Sequence, residues 1–452
     1  MATYSHTTYL QFRQLVAKRL SDPNNIFWTD TELKRYCLEI LRTWNSIAWY
    51  SRDRGLFQTV ANQAFYDIPS NLLGSQSVPQ VDLLSYNLKD QDLYTDIKYT
   101  LLEDASTSNT WTGTDQFDQA SIQDAMQETR NQFLFETGII ATHSTINASP
   151  PVDSIYGLPD NVAHIRRVAF QSNIANSPFI PLQNQDEYGA TSYSSQWLTN
   201  PGTPIAYSTI MNPKVSLQLI PFNELVGTLD IVSVNTPTDL NLSSGVLLNI
   251  PDDLAWVIKY GTLATLLSGE GQRNDKQRAD YCTQRYKQGV MLAKLWNTIQ
   301  QVMINGVPLI PSTIYSADTY TPLWQTSTGS GQPTDILVVA PNLIALRPIP
   351  DSTIYSILMD VVRNFPIPSL DGDFIQVGRE ELDTLVNATA HLASFKQGSQ
   401  EFFDTVPLFQ DMLDMAGYYN RTLMALAPNI FNITKQSTRG TKDKPISTEK
   451  AA

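Results

Sequence analysis

Apolar residues recur at helical spacing at Phe12, Leu15, Val16 and Leu20, and the breaker cluster Asp22-Pro23-Asn24-Asn25 ends that helix. A capping box, Thr29-Asp30-Thr31-Glu32, then opens a longer helix. Its stripe of Leu33, Tyr36, Cys37, Ile40, Leu41, Trp44, Ile47 and Ala48 keeps one apolar face for more than four turns. The same order returns downstream. A weaker helix covers Leu93 to Leu102, a looser cap falls at Thr112 to Asp115, and a second stripe runs through Ile122, Ala125, Met126, Thr129 and Phe133.

Beyond residue 160 the period changes from 3.6 to 2. Short β-prone runs cover Val162 to Phe170 and Phe179 to Leu182. Val215, Leu217 and Leu219 alternate, a turn follows at Asn223 to Gly227, and Leu229 and Ile231 give way to Val232 and Val234. These runs predict a β-meander, with a bulge where the parity changes between Ile231 and Val232. Pro251-Asp252-Asp253 then opens a helix bearing Leu254, Val257, Ile258, Gly261, Ala264 and Leu267, and a further helix spans Lys276 to Ile299. The Pro-, Ser-, Thr- and Gly-rich stretch from Asn305 to Thr334 predicts a linker. After it come β patterns at Ile344, Leu346 and Tyr355 to Val362, a helix from Leu382, and a last helix near Leu408 to Met424.

Short motifs tie these elements into two copies. Trp28-Thr29-Asp30-Thr31 is echoed by Trp111-Thr112-Gly113-Thr114, and Tyr66-Asp67-Ile68-Pro69 by Tyr156-Gly157-Leu158-Pro159. Each proline lacks an amide donor and belongs beside an edge strand. In the back half, Gly202-Thr203-Pro204 and Pro221 are echoed by Gly331-Gln332-Pro333 and Pro348. From Pro221 to Leu254 is 33 positions, and from Pro348 to Leu382 is 34. One complete unit thus interrupts another. The expected fold class is α+β, helix bundles combined with small antiparallel sheets. The expected divisions are 1–91 as the first half of a split outer module, 92–299 as an inserted module, 300–334 as linker, 335–430 as the second outer half, and 431–452 as a basic tail. Segments roughly 300 residues apart should therefore meet.

Composition narrows the functional classes. The 452 residues carry 31 basic and 44 acidic side chains, a formal charge of −13, which disfavours sequence-independent phosphate binding. The two cysteines, Cys37 and Cys282, sit in helical apolar patterns, where buried free thiols are expected. No segment has the length and hydropathy of a membrane span, and residues 1–6 lack the features of a signal peptide. The chain carries no P-loop, His-Glu-x-x-His, Gly-x-Ser-x-Gly or Cys-x-x-Cys. Its histidines, His6, His143, His164 and His391, are scattered, so no catalytic, cofactor-binding or metal-ligating residue is nominated. The acid pairs Asp252-Asp253 and Glu380-Glu381 stand before matching helices and fit a first-turn role. Asp371-Gly372-Asp373 fits a turn better than a calcium loop. Trp197 and Trp324, if exposed, have the chemistry to stack on sugars. His164, Arg166 and Arg167 fit a solvated strand edge, or an anionic partner.

The motif order across residues 92–296 resembles the head-to-tail adaptor, or connector, proteins of tailed bacteriophages. It is carried by Trp111, Tyr156-Gly157-Leu158-Pro159, Trp197, Gly202-Thr203-Pro204, Leu219-Ile220-Pro221 and the helix from Leu254. The resemblance implies a virion structural protein at the head-tail junction, assembled in the host cytoplasm and free of enzymatic activity and cofactors. It implies a ring of twelve copies, or six if both modules lie side by side. Its partners would be the portal protein, tail or nozzle proteins and further copies of itself, with genomic DNA passing through unbound. The tail residues Lys435, Arg439, Lys442 and Lys444 would be the portal-binding segment. A second reading, a tail-associated carbohydrate-binding or depolymerising protein, rests on the acid pairs and the tryptophans.

Overall fold

The computed structural model describes residues 6–48, 52–68, 86–101, 117–149, 155–174, 177–193, 196–197, 199–211, 214–269, 274–295, 299–321, 323–325, 330–362, 367–375 and 377–426. The fold is α+β.

The helices α1 (Tyr9–Arg19) and α2 (Asp30–Ile47) open the chain, each with a complete capping box, from Thr8 with Gln11 and from Thr29 with Glu32. Strands β1 (Arg52–Gln58) and β2 (Phe65–Asp67) follow. Next come α3 (Asp90–Leu101), α4 (Gln119–Thr137), β3 (Thr142–Ala148), β4 (Ile155–Gly157), β5 (Val162–Ser172), β6 (Ile180–Pro181), β7 (Gln183–Asn184) and α5 (Glu187–Tyr193). The inner segment finishes with β8 (Ala206–Ile210), β9 (Ser216–Ile220), β10 (Gly227–Asn235), α6 (Ala255–Leu267) and α7 (Lys276–Leu295). The last stretch holds β11 (Ile299–Ile304), β12 (Val307–Pro308), β13 (Ile310–Ser312), α8 (Ile314–Tyr320), β14 (Asp335–Ala340), β15 (Leu343–Arg347) and β16 (Ser356–Val362). It ends in α9 (Arg379–Ser394), α10 (Ser399–Asp404) and α11 (Val406–Leu426).

Sheet topology sorts these elements into two equal sets. One pair of sheets runs β3-β10-β5-β6 and β4-β9-β8-β7; the other runs β1-β16-β11-β12 and β2-β15-β14-β13. The match extends to details: β7 with β8 and β13 with β14 are parallel pairs among otherwise antiparallel ones. Leu182 donates to the Val168 carbonyl as Leu309 does to that of Val302, at 2.9 and 2.7 Å. Tyr9 donates to the Asp373 carbonyl as Asp90 does to that of Val246, both at 2.8 Å. Strand β1 has its partner in β16, with Phe57 opposite Ile357, and β2 has its partner in β15. The front and back of the chain therefore build shared sheets around the inner segment.

Four expectations change. Of the stretch 300–334, read as linker, residues 300–320 are built as β11, β12, β13 and α8, while 322 and 326–329 lie outside the described residues. Pro308, Pro311 and Ser312 sit in two- and three-residue strands, too short to show a period. The meander fails as well: β8 and β9 form a hairpin in one sheet, but β10 crosses to the other. Irregular pairing in β10 falls between Val232 and Ser233, one residue later than the parity change. Finally, α4 is capped by Asp118, whose carboxylate accepts from the Ser121 amide at 2.7 Å. The buried aromatic ahead of that cap is Phe117, in the place of Trp28 ahead of Thr29. Trp111 to Asp115 lie outside the described residues. The stripes themselves are placed as expected, with Ile122, Ala125, Met126, Thr129 and Phe133 buried.

All the long helices share one core. Within it α4, α6 and α7 approach closely at glycines: a Cβ on Gly261 would lie 2.3 Å from Thr129 Cγ2, and one on Gly289 2.4 Å from Val257 Cγ2. Lys259 on α6 reaches Glu39 on α2 at 2.5 Å, both almost fully buried. Burial of this kind is tolerated only with the charges paired. Glu39→Ala is expected to destabilise the chain by about 3–5 kcal/mol, whereas Glu39→Leu with Lys259→Met stays within about 1.5 kcal/mol of the parent. Urea unfolding curves distinguish the two outcomes.

Candidate functional site

The two modules meet along a seam, and its polar centre is Arg167 on β5. Only 4% of this side chain is exposed. It forks onto Asp318 of α8 through Nε at 2.6 Å and Nη2 at 2.9 Å, and reaches Asp230 of β10 through Nη1 at 2.7 Å. Gln325 accepts from Arg167 at 2.7 Å and donates to Asp230 at 3.0 Å. His143 of β3 closes the other side of Asp230, and its ring stacks on Phe65 with centroids 4.2 Å apart. Trp324 lies under the guanidinium at 5.7 Å and donates its indole N–H to Asp318 at 2.8 Å. Around these groups pack Ala141 and Val232 from the inner module with Phe65, Ile314, Ala317 and Leu337 from the outer.

Strand alternation explains the placement. Leu229 and Ile231 point into the core between the inner sheets, so Asp230 and Val232 point the other way, onto the outer module. Burial would raise the Asp230 carboxyl, but the hydrogen bonds of His143 and Gln325 and the charges of His143 and Arg167 hold it below the usual carboxylate value.

A second junction lies in the helical layer. His391 of α9 is fully buried, with Nε2 2.9 Å from the Tyr281 hydroxyl of α7 and Nδ1 2.8 Å from Thr405 Oγ1. Its ring stacks on Phe402 at 4.7 Å. Burial, aided by the charge of Arg285, lowers its pKa to about 3, so the imidazole is neutral in the fold.

The other sequence candidates are accounted for separately. Trp197 and Trp324 are buried rather than exposed, which removes them as sugar platforms. Arg167 is neither at a solvated edge nor facing an outside anion, because α8 brings Asp318 to it; no local pattern around Arg167 signals that partner. Arg166 donates to the Val339 carbonyl at 2.9 Å, and His164 is exposed beside Phe135. Asp252 accepts from the amides of Asn87 and Leu88 at 3.1 and 2.9 Å, and Asp253 from Asn45 at 3.3 Å. Glu381 is buried in the first turn of α9. The first acid pair thus binds the segment ahead of α3 and Asn45 of α2, the second sits in the first turn of α9, and neither makes a side-chain cap bond to its own helix. Asp371-Gly372-Asp373 forms a turn: Asp373 accepts from the Ser369 and Leu370 amides, and Asp371 pairs with Arg13 at 2.9 Å. A groove of about 420 Å³ between α1 and α2 is lined by Arg13, Lys18 and Asp30, and Arg13 is engaged by Asp30 and Asp371. Among the described residues no group of three or more His, Cys, Asp or Glu side chains is placed to hold a metal. None of the described helices is long and apolar enough to cross a membrane. Lys435, Arg439, Lys442 and Lys444 lie outside the described residues. No protein-family model matches the chain, and no curated protein matches it.

The seam sets a pH response. A histidine neutral in the fold but free to protonate when unfolded lowers stability once the pH falls below its unfolded value near 6.5. The loss continues down to about 3. Asp230 is shifted in the same direction, downward, so its contribution has the same sign: full above the ordinary carboxylate range and lost as the pH falls through its depressed value. Denaturant midpoints should therefore drop between pH 6.5 and 4 by about 1.4 kcal/mol per pH unit from His391 alone. His391→Phe should flatten that interval. Arg167→Met, which strands two buried carboxylates, is expected to cost about 3–5 kcal/mol at pH 7, read by the same unfolding curves.

Proposed function

We propose that the chain is a virion structural protein, a head-to-tail adaptor that forms a ring below the portal and lets DNA pass into the tail. The observation that carries this reading is the recurrence, as two folded units, of one element order: helix, capped helix, Tyr-x-aliphatic-Pro strand, small paired sheets, two closing helices. That order is the one on which the adaptor resemblance rests. The acidic balance supports it, because a wall that attracted phosphates would hold DNA back.

The polar clusters fit a structural role. Arg167, Asp230 and His391 are buried, and Asp318 half-buried, against protein groups that satisfy them, and a general acid or nucleophile must instead reach its substrate. The carbohydrate reading loses its motives, since the tryptophans are buried, Asp252 and Asp253 are engaged by Asn87, Leu88 and Asn45, and Glu381 is buried. Portal, tail and nozzle proteins, and DNA in transit, are the partners this function requires. The basic segment with Lys435, Arg439, Lys442 and Lys444 is the portal-facing element.

Particle reconstructions should place the chain at the head-tail junction. The purified chain should bind portal-bearing heads, and deletion of residues 431–452 should weaken that binding at least tenfold while leaving thermal unfolding unchanged. Density for the chain elsewhere in the virion, or cleavage of a surface polysaccharide by the purified protein, would overturn the adaptor reading.

A further inference from the structure

The duplication gives the residues of the seam counterparts, and several of these counterparts are partly or largely exposed. Backbone pairing aligns the sheets: Leu229 sits opposite Phe170 as Ile357 sits opposite Ile304, so Asp230 corresponds to Leu358, Ala169 to Met303 and Thr145 to Leu56. By the same register Arg167 corresponds to Gln301. On the inner sheet Asp230, Ala169 and Arg167 are buried, with Arg167 held by Asp318 of α8 and lying over Trp324, while Thr145 at the β3 edge is exposed. On the outer sheet Leu56, Leu358 and Met303 form one cross-strand row on the face turned away from the core, and they are half-exposed.

The covering element also has its copy. Ala190 and Trp197 are seven residues apart on and after α5, as Ala317 and Trp324 are on and after α8. The indole of Trp197 donates to Thr191 as that of Trp324 donates to Asp318. Tyr315, whose hydroxyl reaches the Arg166 carbonyl, corresponds to Tyr188, which is 87% exposed. Phe65, buried in the seam, corresponds to Ile155, which is 44% exposed.

The contact between modules is not mutual. Had a two-fold axis related them, α5 would cover the outer sheet within the same chain as α8 covers the inner one. Among the described residues no hydrogen bond or ion pair joins α5 to β1, β16 or β11, and Tyr188 is 87% exposed, so the contact is heterologous and can be continued by another copy.

We propose that the half-exposed face of β1-β16-β11 receives the α5 element, with Tyr188, Thr191 and Ile155, of a second copy of this chain, in the geometry by which α8 docks on β5 and β10. Each chain then fills two successive positions around the ring. Of the two copy numbers the adaptor resemblance implies, this arrangement selects six. The inference rests on the adaptor reading for closure into a ring, but the contact itself is tested on the purified chain.

Thr191→Cys and Gln301→Cys place thiols at the counterparts of Asp318 and Arg167. Both native cysteines are fully buried, and burial pushes the Cys282 thiol up to about 12, so they stay unreactive. With a short bismaleimide and protein at about 1 mM, enough to populate a contact of millimolar affinity, the double variant should give a ladder of covalent multimers. Each single variant should stay monomeric, and an equimolar mixture of the two should stop at dimer. Adding Leu358→Asp to the double variant, a residue type the inner counterpart Asp230 already carries, should keep the thermal midpoint and cut the ladder at least about tenfold. A double variant that stays monomeric, or a single variant that links to itself, overturns the inference. Neither result moves the reconstruction that tests the adaptor reading, and a chain found away from the junction leaves the cross-linking result standing.

Discussion

Among the described strands β1 is paired by β16 alone, and Phe57 finds its opposite in Ile357. Everything between must already be arranged so that the two ends of the outer module can meet. Backbone donors and acceptors removed from water have to be paired, so the outer sheets cannot form from either end by itself. The inner module, contiguous from α3 to α7, has no such dependence on distant chain. Its end-to-end spacing sets where the outer halves are presented to each other, and the shared helical core fixes that spacing. Trp28 of the front half donates its indole N–H to Ala393 of the back half at 3.1 Å, and Asn420 donates to the Ile47 carbonyl at 2.7 Å. These bonds join the outer helices above the same closure that β1 and β16 make below.

How far the sequence carried this picture can be judged residue by residue. The helix α2 was legible because cap, stripe and length agree, and the structure has Thr29 and Glu32 bonded reciprocally as the capping box requires. The duplication was legible through Tyr-x-aliphatic-Pro, because a strand followed by proline leaves a local mark. What was not legible depends on residues far apart in sequence. Trp111 looked like the repeat of Trp28 by letter, yet Phe117 occupies that place, since the core asks for a large apolar ring ahead of a cap and not for one amino acid. Residues 300–334 looked like linker because β12 and β13 have two and three residues each, and their order comes from neighbours rather than from periodicity. Arg167 looked solvated because Asp318 stands 151 positions away.

The buried polar groups at the seam set specificity more than they add stability. A buried ion cluster often holds a fold no more tightly than apolar residues of similar volume. Its effect is on the alternatives. The two copies of the module share a backbone plan, so each docking element has two sheet faces it fits by shape. Arg167 and Asp318 distinguish them. The helix α8 on the outer sheet would bring Asp318 against Gln301 and Leu358, beside the carboxylate of Asp360, instead of against Arg167. The helix α5 on the inner sheet would bring Thr191 against Arg167 and leave that guanidinium without its forked partner.

Either mismatch would bury an unpaired charge, at a cost of several kcal/mol. Only two pairings avoid it: α8 with the inner sheet, which the chain makes within itself, and α5 with the outer sheet, where Thr191 meets Gln301 and Tyr188 meets an apolar row. The first joins groups on one chain and so works at high effective concentration, which tolerates the desolvation of a charge cluster. The second must form between separate molecules, and there the apolar row of Leu56, Leu358 and Met303, with Asp360 in the next row of the same face, has less desolvation to overcome than the Arg167 cluster. The divergence of the two copies at these few positions follows one rule: charge where the chain folds on itself, and apolar surface where it must wait for a neighbour.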